Sequence, residues 1–209
     1  MITISYAITA CNEYLELHNL LRRVTGKATP DDEIVVLLDT DSATSEVKAL
    51  CNEYKALKNF HLHYNSLNKN FAQHKNKLNR LCTKDWIFNI DADEYPSDSL
   101  LDNLRDILTL NSSVDIISVP RVNRVSGLTE EHVRRWMWRV DEQGRVNWPD
   151  YQMRLYKNKP EIVWEGKVHE KPVGWKIGSH IPYQTEEFAL MHFKDIARQE
   201  KQNSLYNTI

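Results

Sequence analysis

Cysteine is scarce in this chain. Cys11, Cys51 and Cys82 are the only three among 209 residues, an odd number with no C-x-x-C pair, which argues against a disulfide framework or a zinc cluster. Cys51 and Cys82 are expected to be buried apolar positions on helices. No apolar run approaches the roughly 18 residues that a membrane-spanning helix requires, and the N-terminus lacks the basic start and apolar core of a signal peptide. The expected location is therefore cytoplasmic. An excess of either charge is missing too: 27 Lys and Arg face 29 Asp and Glu, a formal net charge of -2. Nucleic acid is thus an unlikely general partner, and any site for a polyanion has to be local. Internal repeats and low-complexity tracts are absent.

What is present fits one soluble core. Hydrophobic residues make up 41% and charged residues 27%, and 209 residues form a single domain more readily than two. ITISYAIT (2 to 9) is rich in strand formers, and IVVLL (34 to 38) is an unbroken apolar run of the kind buried on both faces of a parallel sheet. Between them Tyr14, Leu17, Leu21 and Val24 recur at helical spacing, and Gly26 and Pro30 punctuate the return. Val47, Leu50, Cys51, Tyr54 and Leu57 predict a second helix, FHLHY (60 to 64) a third strand, residues 72 to 82 a further helix, and WIFNI a fourth strand. His61 and His63 in HLH read as strand alternation and not as ligands. One helix is expected through Leu100, Leu101, Leu104, Ile107 and Leu108, then a strand at IISVP (116 to 120), then less regular segments. The alternation predicts an α/β fold with a mainly parallel, Rossmann-like sheet flanked by helices.

The stretch WIFNIDADEY (86 to 95) follows its apolar run with Asp91, Asp93 and Glu94. Carboxylates so close repel unless water or a cation separates them. Two readings follow. In one the acids form a solvated turn, with Pro96 and Ser97 opening a helix and Asp98 near its N-terminus. In the other the strand presents Asp91 and Asp93, at i and i+2 on one face, to a divalent metal. Ligands of open parallel sheets gather beyond the carboxyl ends of the strands, which brings Thr9, Asn12, Glu13 and Asp39 to the same edge. A helix cap explains Thr9 or Asn12 equally well, and a turn explains Asp39. Ser66 to Lys84 holds Lys69, Lys75, Lys77, Arg80 and Lys84 with no acid, a stretch suited either to neutralising a diphosphate or to lying in solvent.

TACNE (9 to 13), LLDTDSAT (37 to 44), NFAQHKN (70 to 76), DWIFNIDADEYP (85 to 96), WPDYQMRLYKN (148 to 158) and WEGKVHE (164 to 170) together resemble the successive blocks of family 2 glycosyltransferases with the GT-A fold. The likeness is greatest to small bacterial enzymes that build lipopolysaccharide core and related glycans. It implies one GT-A domain over 1 to 209, with a nucleotide-binding half to 95 and an irregular, acceptor-binding half from 96. It also implies transfer of a sugar from a nucleoside diphosphate sugar, UDP-glucose first, to a glycan or small hydroxyl acceptor, with inversion. On this resemblance Thr9, Asn12, Glu13 and Asp39 line the donor pocket together with Lys69, Asn76 and Ala92. Asp91 and Asp93 hold Mn²⁺ or Mg²⁺, with His192 or His169 as a third ligand. Asp150 is the general base, Glu170 stands behind it, and Arg154 binds phosphate or acceptor. The chain departs from the family pattern at Pro149, where an acid is usual, and at DTDSAT.

The chemistry suits those roles, because a metal stabilises charge on a leaving diphosphate and a carboxylate takes the proton of the attacking hydroxyl. Five of six tryptophans, Trp136, Trp138, Trp148, Trp164 and Trp175, lie in the second half, and one or two of them are expected to meet a sugar ring. Three rivals stand beside this reading: a phosphatase with Asp91 as nucleophile, a non-catalytic nucleotide-sugar or glycan-binding module, and a glycosyltransferase acting on modified DNA bases.

Overall fold

The computed structural model of the protein describes residues 1–206. In chain order β1 (Ile4–Ala10), α1 (Tyr14–Thr25), β2 (Glu33–Asp39), α2 (Ser45–Tyr54), β3 (Phe60–Asn65), α3 (Phe71–Asn79) and β4 (Trp86–Asp91) follow the alternation expected from sequence. These four strands are parallel in the order β3-β2-β1-β4. Alternate residues of β1 enter different cores: Ile4, Tyr6 and Ile8 pack with α1 and α2, while Ala7 faces the side of α3. Burial on both faces is why these strands read as nearly unbroken apolar runs.

The expected single helix after residue 96 is two. β5 (Glu94–Pro96) leads to α4 (Asp98–Asp102), whose first turn is capped by the Ser97 hydroxyl accepting from Leu100 N–H, and then to α5 (Leu104–Leu110). Asn103 leaves helical geometry at ψ 6° and turns its side-chain amide back to the Ser99 carbonyl. The apolar spacing runs on because both short helices bury their leucines in the same core. α3 likewise ends at Asn79, short of 82, so the buried Cys82 sits in the turn beyond it and not on the helix.

The second half is far less irregular than expected. β6 (Ile116–Ser126) and, after α6 (Glu130–Arg135), β7 (Val146–Lys157) are the two longest strands described. β7 lies antiparallel between β4 and β6, so the sheet continues from the first half into the second. The hairpin of β8 (Val163–Glu165) and β9 (Lys171–Val173) covers α3. β10 (Gly178–His180) and β11 (Leu190–Asp195) each run parallel to β6, β5 pairs with the outer side of β11, and α7 (Ile196–Tyr206) follows. β7 escaped sequence reading because Asp150, Gln152 and Arg154 alternate with Tyr151 and Met153 and point polar groups into the molecule instead of out to water. Among the described residues no helix is long and apolar enough to cross a membrane.

Candidate active site

The strand order reverses beside β1, which places a crevice beyond the carboxyl ends of β1 and β4. A cavity of about 860 Å³ opens there, walled by β4, β6, β7, β11, α7 and the β8–β9 hairpin. It brings together Asp91, Asp93, Asp150, Arg154, Glu170 and His192, with the exposed His169 at its rim.

Seven of these side chains and their neighbours form one alternating ladder of charge. Glu170 meets Lys75 at 2.8 Å, Lys75 meets Asp91 at 3.0 Å, and Asp91 meets Arg154 at 2.5 Å. Arg154 reaches Glu94 at 2.8 Å, Glu94 reaches Arg121 at 2.5 Å, and Arg121 reaches Asp150 at 2.6 Å. Glu94 is buried, so the desolvation cost of each carboxylate is offset by a cation on the next element. Burial raises the Asp91 pKa, and Arg154 and Lys75 more than reverse this, leaving it well below the usual carboxylate range. Asp150 behaves alike: burial pushes it up, while Arg121 and the amides of Asn123 and Gln152 bring it down.

Both Asp91 oxygens are thereby committed to cations, Lys75 and Arg154, with the Thr9 hydroxyl donating at 3.1 Å. The expected Asp91–Asp93 metal pair is therefore divided in this structure: Asp91 faces Lys75 and Arg154, which also crowd any attack by its carboxylate as a phosphatase-type nucleophile. Among the described residues no cluster of three or more His, Cys, Asp or Glu is arranged to hold a metal ion.

Asp93 stands outside the ladder. Its Oδ2 lies 3.3 Å from His192 Nε2 and 3.5 Å from Arg198. The His192 tautomer follows from a chain of obligate partners. Ionised Asp150 only accepts, so Asn123 turns its Nδ2 to it, at 2.8 Å. Asn123 then presents Oδ1 to His192 Nδ1 at 2.7 Å, and Nδ1 must be the donor. In neutral His192 the remaining lone pair of Nε2 faces the Asp93 carboxylate, a meeting of two acceptors that only a proton or a cation satisfies. Burial raises the Asp93 pKa, and protonated His192, donating from Nε2, and then Arg198 outweigh it, so the carboxyl is held far down. An oxygen and a nitrogen donor on a cavity wall, with room for phosphate and water, fit Mg²⁺ or Mn²⁺, which usually take few protein ligands.

The donor-pocket residues named from sequence lie outside the lining of this cavity. Asn12 is exposed, and Glu13 accepts from the backbone N–H groups of Cys11 and Asn12 at 2.8 and 3.0 Å. Asp39 is buried and accepts from Asp41 and Leu67 N–H. Lys69 is exposed in a left-handed turn at φ 53°. Asn76 clamps α3 to β8 through both backbone groups of Trp164, at 2.8 and 2.7 Å. Ala92 is buried. Of the basic stretch only Lys75 turns inward, its ammonium 4.5 Å from the Trp164 ring centre, while Lys77 and Arg80 lie in solvent. Trp136, Trp138 and Trp164 line the cavity.

Arg121, Asn123, Lys194 and Arg198 carry much of the geometry and were not singled out from sequence, and Glu94 was named in the acidic cluster without a role. Arg121 and Asn123 had a readable signal, since they flank buried Val122 at strand spacing in PRVNRV. Arg198 had none, because its reach to Glu13, Glu16 and Asp93 depends on where α7 docks. Lys194 lies on β11 two residues beyond His192, and burial pushes its ammonium down to about 8 while Asp93 partly opposes this.

No curated protein sequence matches the chain significantly. Among solved structures, TarS residues 1–349 from S. aureus superposes with a TM-score of 0.61 at 11% identity, over 92% of this chain and 60% of that one. The TarS complex with UDP-GlcNAc gives 0.63 at 11% identity, over 93% and 59%. The complex with UDP gives 0.61 at 11%, over 92% and 60%. At such identity the likeness is one of fold, and the chain spans about 60% of the length of that neighbour. The model of glycosyl transferase family 2 matches residues 5–195, and the chain belongs to that family, on the GT-A fold.

Proposed function

We propose that the protein transfers a sugar from a UDP-sugar to a hydroxyl acceptor with inversion, using a divalent cation held by Asp93 and His192. The observation that carries this reading is the pairing of Asp93 Oδ2 with His192 Nε2 at 3.3 Å, in the wall of a large cavity beside the strand-order reversal. A divalent cation there supplies Lewis-acid stabilisation of the charge that develops on the leaving diphosphate. The ladder keeps Asp91, Arg154 and Glu94 fixed behind it, so little reorganisation is needed as charge builds.

Asp150 is the candidate base. Its Oδ2 accepts from Arg121 and Asn123, but among the described residues Oδ1 accepts only from Gln152, at 2.9 Å, and keeps a lone pair for an acceptor hydroxyl. Its lowered pKa keeps it ionised at neutral pH. Glu170 is tied to Lys75 and closes the ladder's far end. Trp138, in the cavity lining, is the candidate platform for a sugar ring, since Trp136 is already stacked on His132 at 5.2 Å and lies under the Arg135 guanidinium at 4.9 Å. UDP is the first nucleotide to try because the TarS neighbour is solved with UDP and UDP-GlcNAc.

The test is a thermal-shift screen of UDP-glucose, UDP-GlcNAc and the GDP and CDP sugars, with and without Mn²⁺. A metal-dependent rise in melting temperature with a UDP-sugar is expected, and the product anomer read by NMR reports inversion. Silence toward every donor removes the proposal. Asn123→Leu is a second prediction: with its tautomer partner gone, His192 is expected to lose Mn²⁺ affinity by about 10- to 100-fold. Mn²⁺ titration by EPR checks it, and unchanged affinity refutes the role of Asn123.

A further inference from the structure

Five Lys and Arg side chains line the cavity: Lys75, Arg121, Arg154, Lys171 and Lys194. The first three are bound into the ladder, each by two carboxylates. Lys171 is exposed, where water screens it. Lys194 differs from all four. It is half-buried, no carboxylate of the described residues lies within ion-pair distance, and its Nζ donates to the neutral Gln202 Oε1 of α7 at 3.0 Å. A partly desolvated ammonium satisfied only by an amide costs stability, and a fold accepts that where an outside anion completes the site.

The position says which anion. His192 and Lys194 are two residues apart on β11, opposite Asn123 and Val125 of β6, and all four line the cavity. Strand geometry puts side chains at i and i+2 on one face about 7 Å apart. Lys194 therefore stands one step along the same wall from the Asp93–His192 pair. Gln199, Gln202 and Asn203 of α7 add neutral amide groups to that corner. We infer that Lys194, at the junction of β11 and α7, binds a phosphate oxyanion of the donor's diphosphate. This rests on the transferase reading and assigns the diphosphate a protein cation that is not already neutralised by the chain itself.

The experiment compares UDP and uridine binding by calorimetry, in Mn²⁺, for the wild type, Lys194→Met and Lys194→Arg, with melting temperatures of each free protein. Lys194→Met is expected to weaken UDP by about 10- to 100-fold, the worth of a charged hydrogen bond, and to leave uridine unchanged. Lys194→Arg is expected to restore most of the UDP affinity. The free Lys194→Met protein is expected to melt no lower than the wild type, since a desolvated charge has been removed. A merely structural lysine gives the opposite pattern: lower melting, and UDP and uridine weakened alike. Either that pattern or unchanged UDP affinity overturns the assignment. If the wild type binds no nucleoside diphosphate at all, the transferase reading itself fails, a result distinct from binding that ignores Lys194.

Discussion

Asp93→Ala is expected to abolish metal-dependent transfer while leaving the protein folded. The side chain is one-fifth exposed and has two neighbours, each with other support. His192 keeps its bond to Asn123, and Arg198 keeps Glu16 at 2.5 Å and Glu13 at 3.7 Å. Loss of stability should then stay within about 1 kcal/mol, as for a partly exposed pair. The catalytic loss is larger. If the bound cation lowers the barrier by roughly 4 kcal/mol, its removal costs about 10³-fold in rate. Initial rates with Mn²⁺, beside a urea unfolding curve, check both halves. Wild-type turnover in the variant refutes the assignment.

Asp91→Ala separates the twin aspartates by the same logic. Asp91 is bracketed by Lys75 and Arg154, so its loss strips one partner from each of two buried cations. Sequence alone makes the two residues look equivalent, because i and i+2 on a strand share a face. The structure divides them by what lies opposite: cations of α3 and β7 for Asp91, an imidazole of β11 for Asp93.

This marks how far the sequence carries. β1 to β4 are legible because parallel strands buried on both faces are written as apolar runs between amphipathic helices. β7 is not legible, since its alternation places charged groups in the interior, where only partners distant in sequence satisfy them. Arg154 meets Asp91 across 63 positions, and Lys75 meets Glu170 from α3 to the hairpin. The cluster WIFNIDADEY was readable as a site, yet Glu94 within it points away from any ligand into two arginines. Helix caps or turns explained Thr9, Asn12 and Asp39 equally well in the sequence; in the structure Asp39 gathers turn N–H groups and Thr9 buttresses Asp91.

The ladder's centre gives the largest expected effect on stability. Arg154 is buried between Asp91 and Glu94, with Asn89 a further, longer contact at 3.4 Å. Arg154→Ala leaves two acids at the end of β4 with one cation each, Lys75 for Asp91 and Arg121 for Glu94. Breaking a buried pair in this way costs about 3–5 kcal/mol, which lowers the melting temperature by roughly 6–20 °C for a chain of this size. The pH dependence changes as well. In the wild type the depressed pKa of Asp91 contributes stability that is fully present above about pH 4 and is lost as pH falls through the folded value. Buried carboxylates short of a cation favour the neutral form, so the stability gap between variant and wild type is expected to narrow as pH falls from 7 toward 5. Arg154→Met combined with Glu94→Gln removes the stranded charge and is expected to recover most of the loss, since an apolar or neutral replacement of the whole pair is often tolerated. Urea midpoints at pH 5 and pH 7 for the three proteins test the argument, and a variant whose midpoint follows the wild type at both pH values shows that the ladder does not hold the site together.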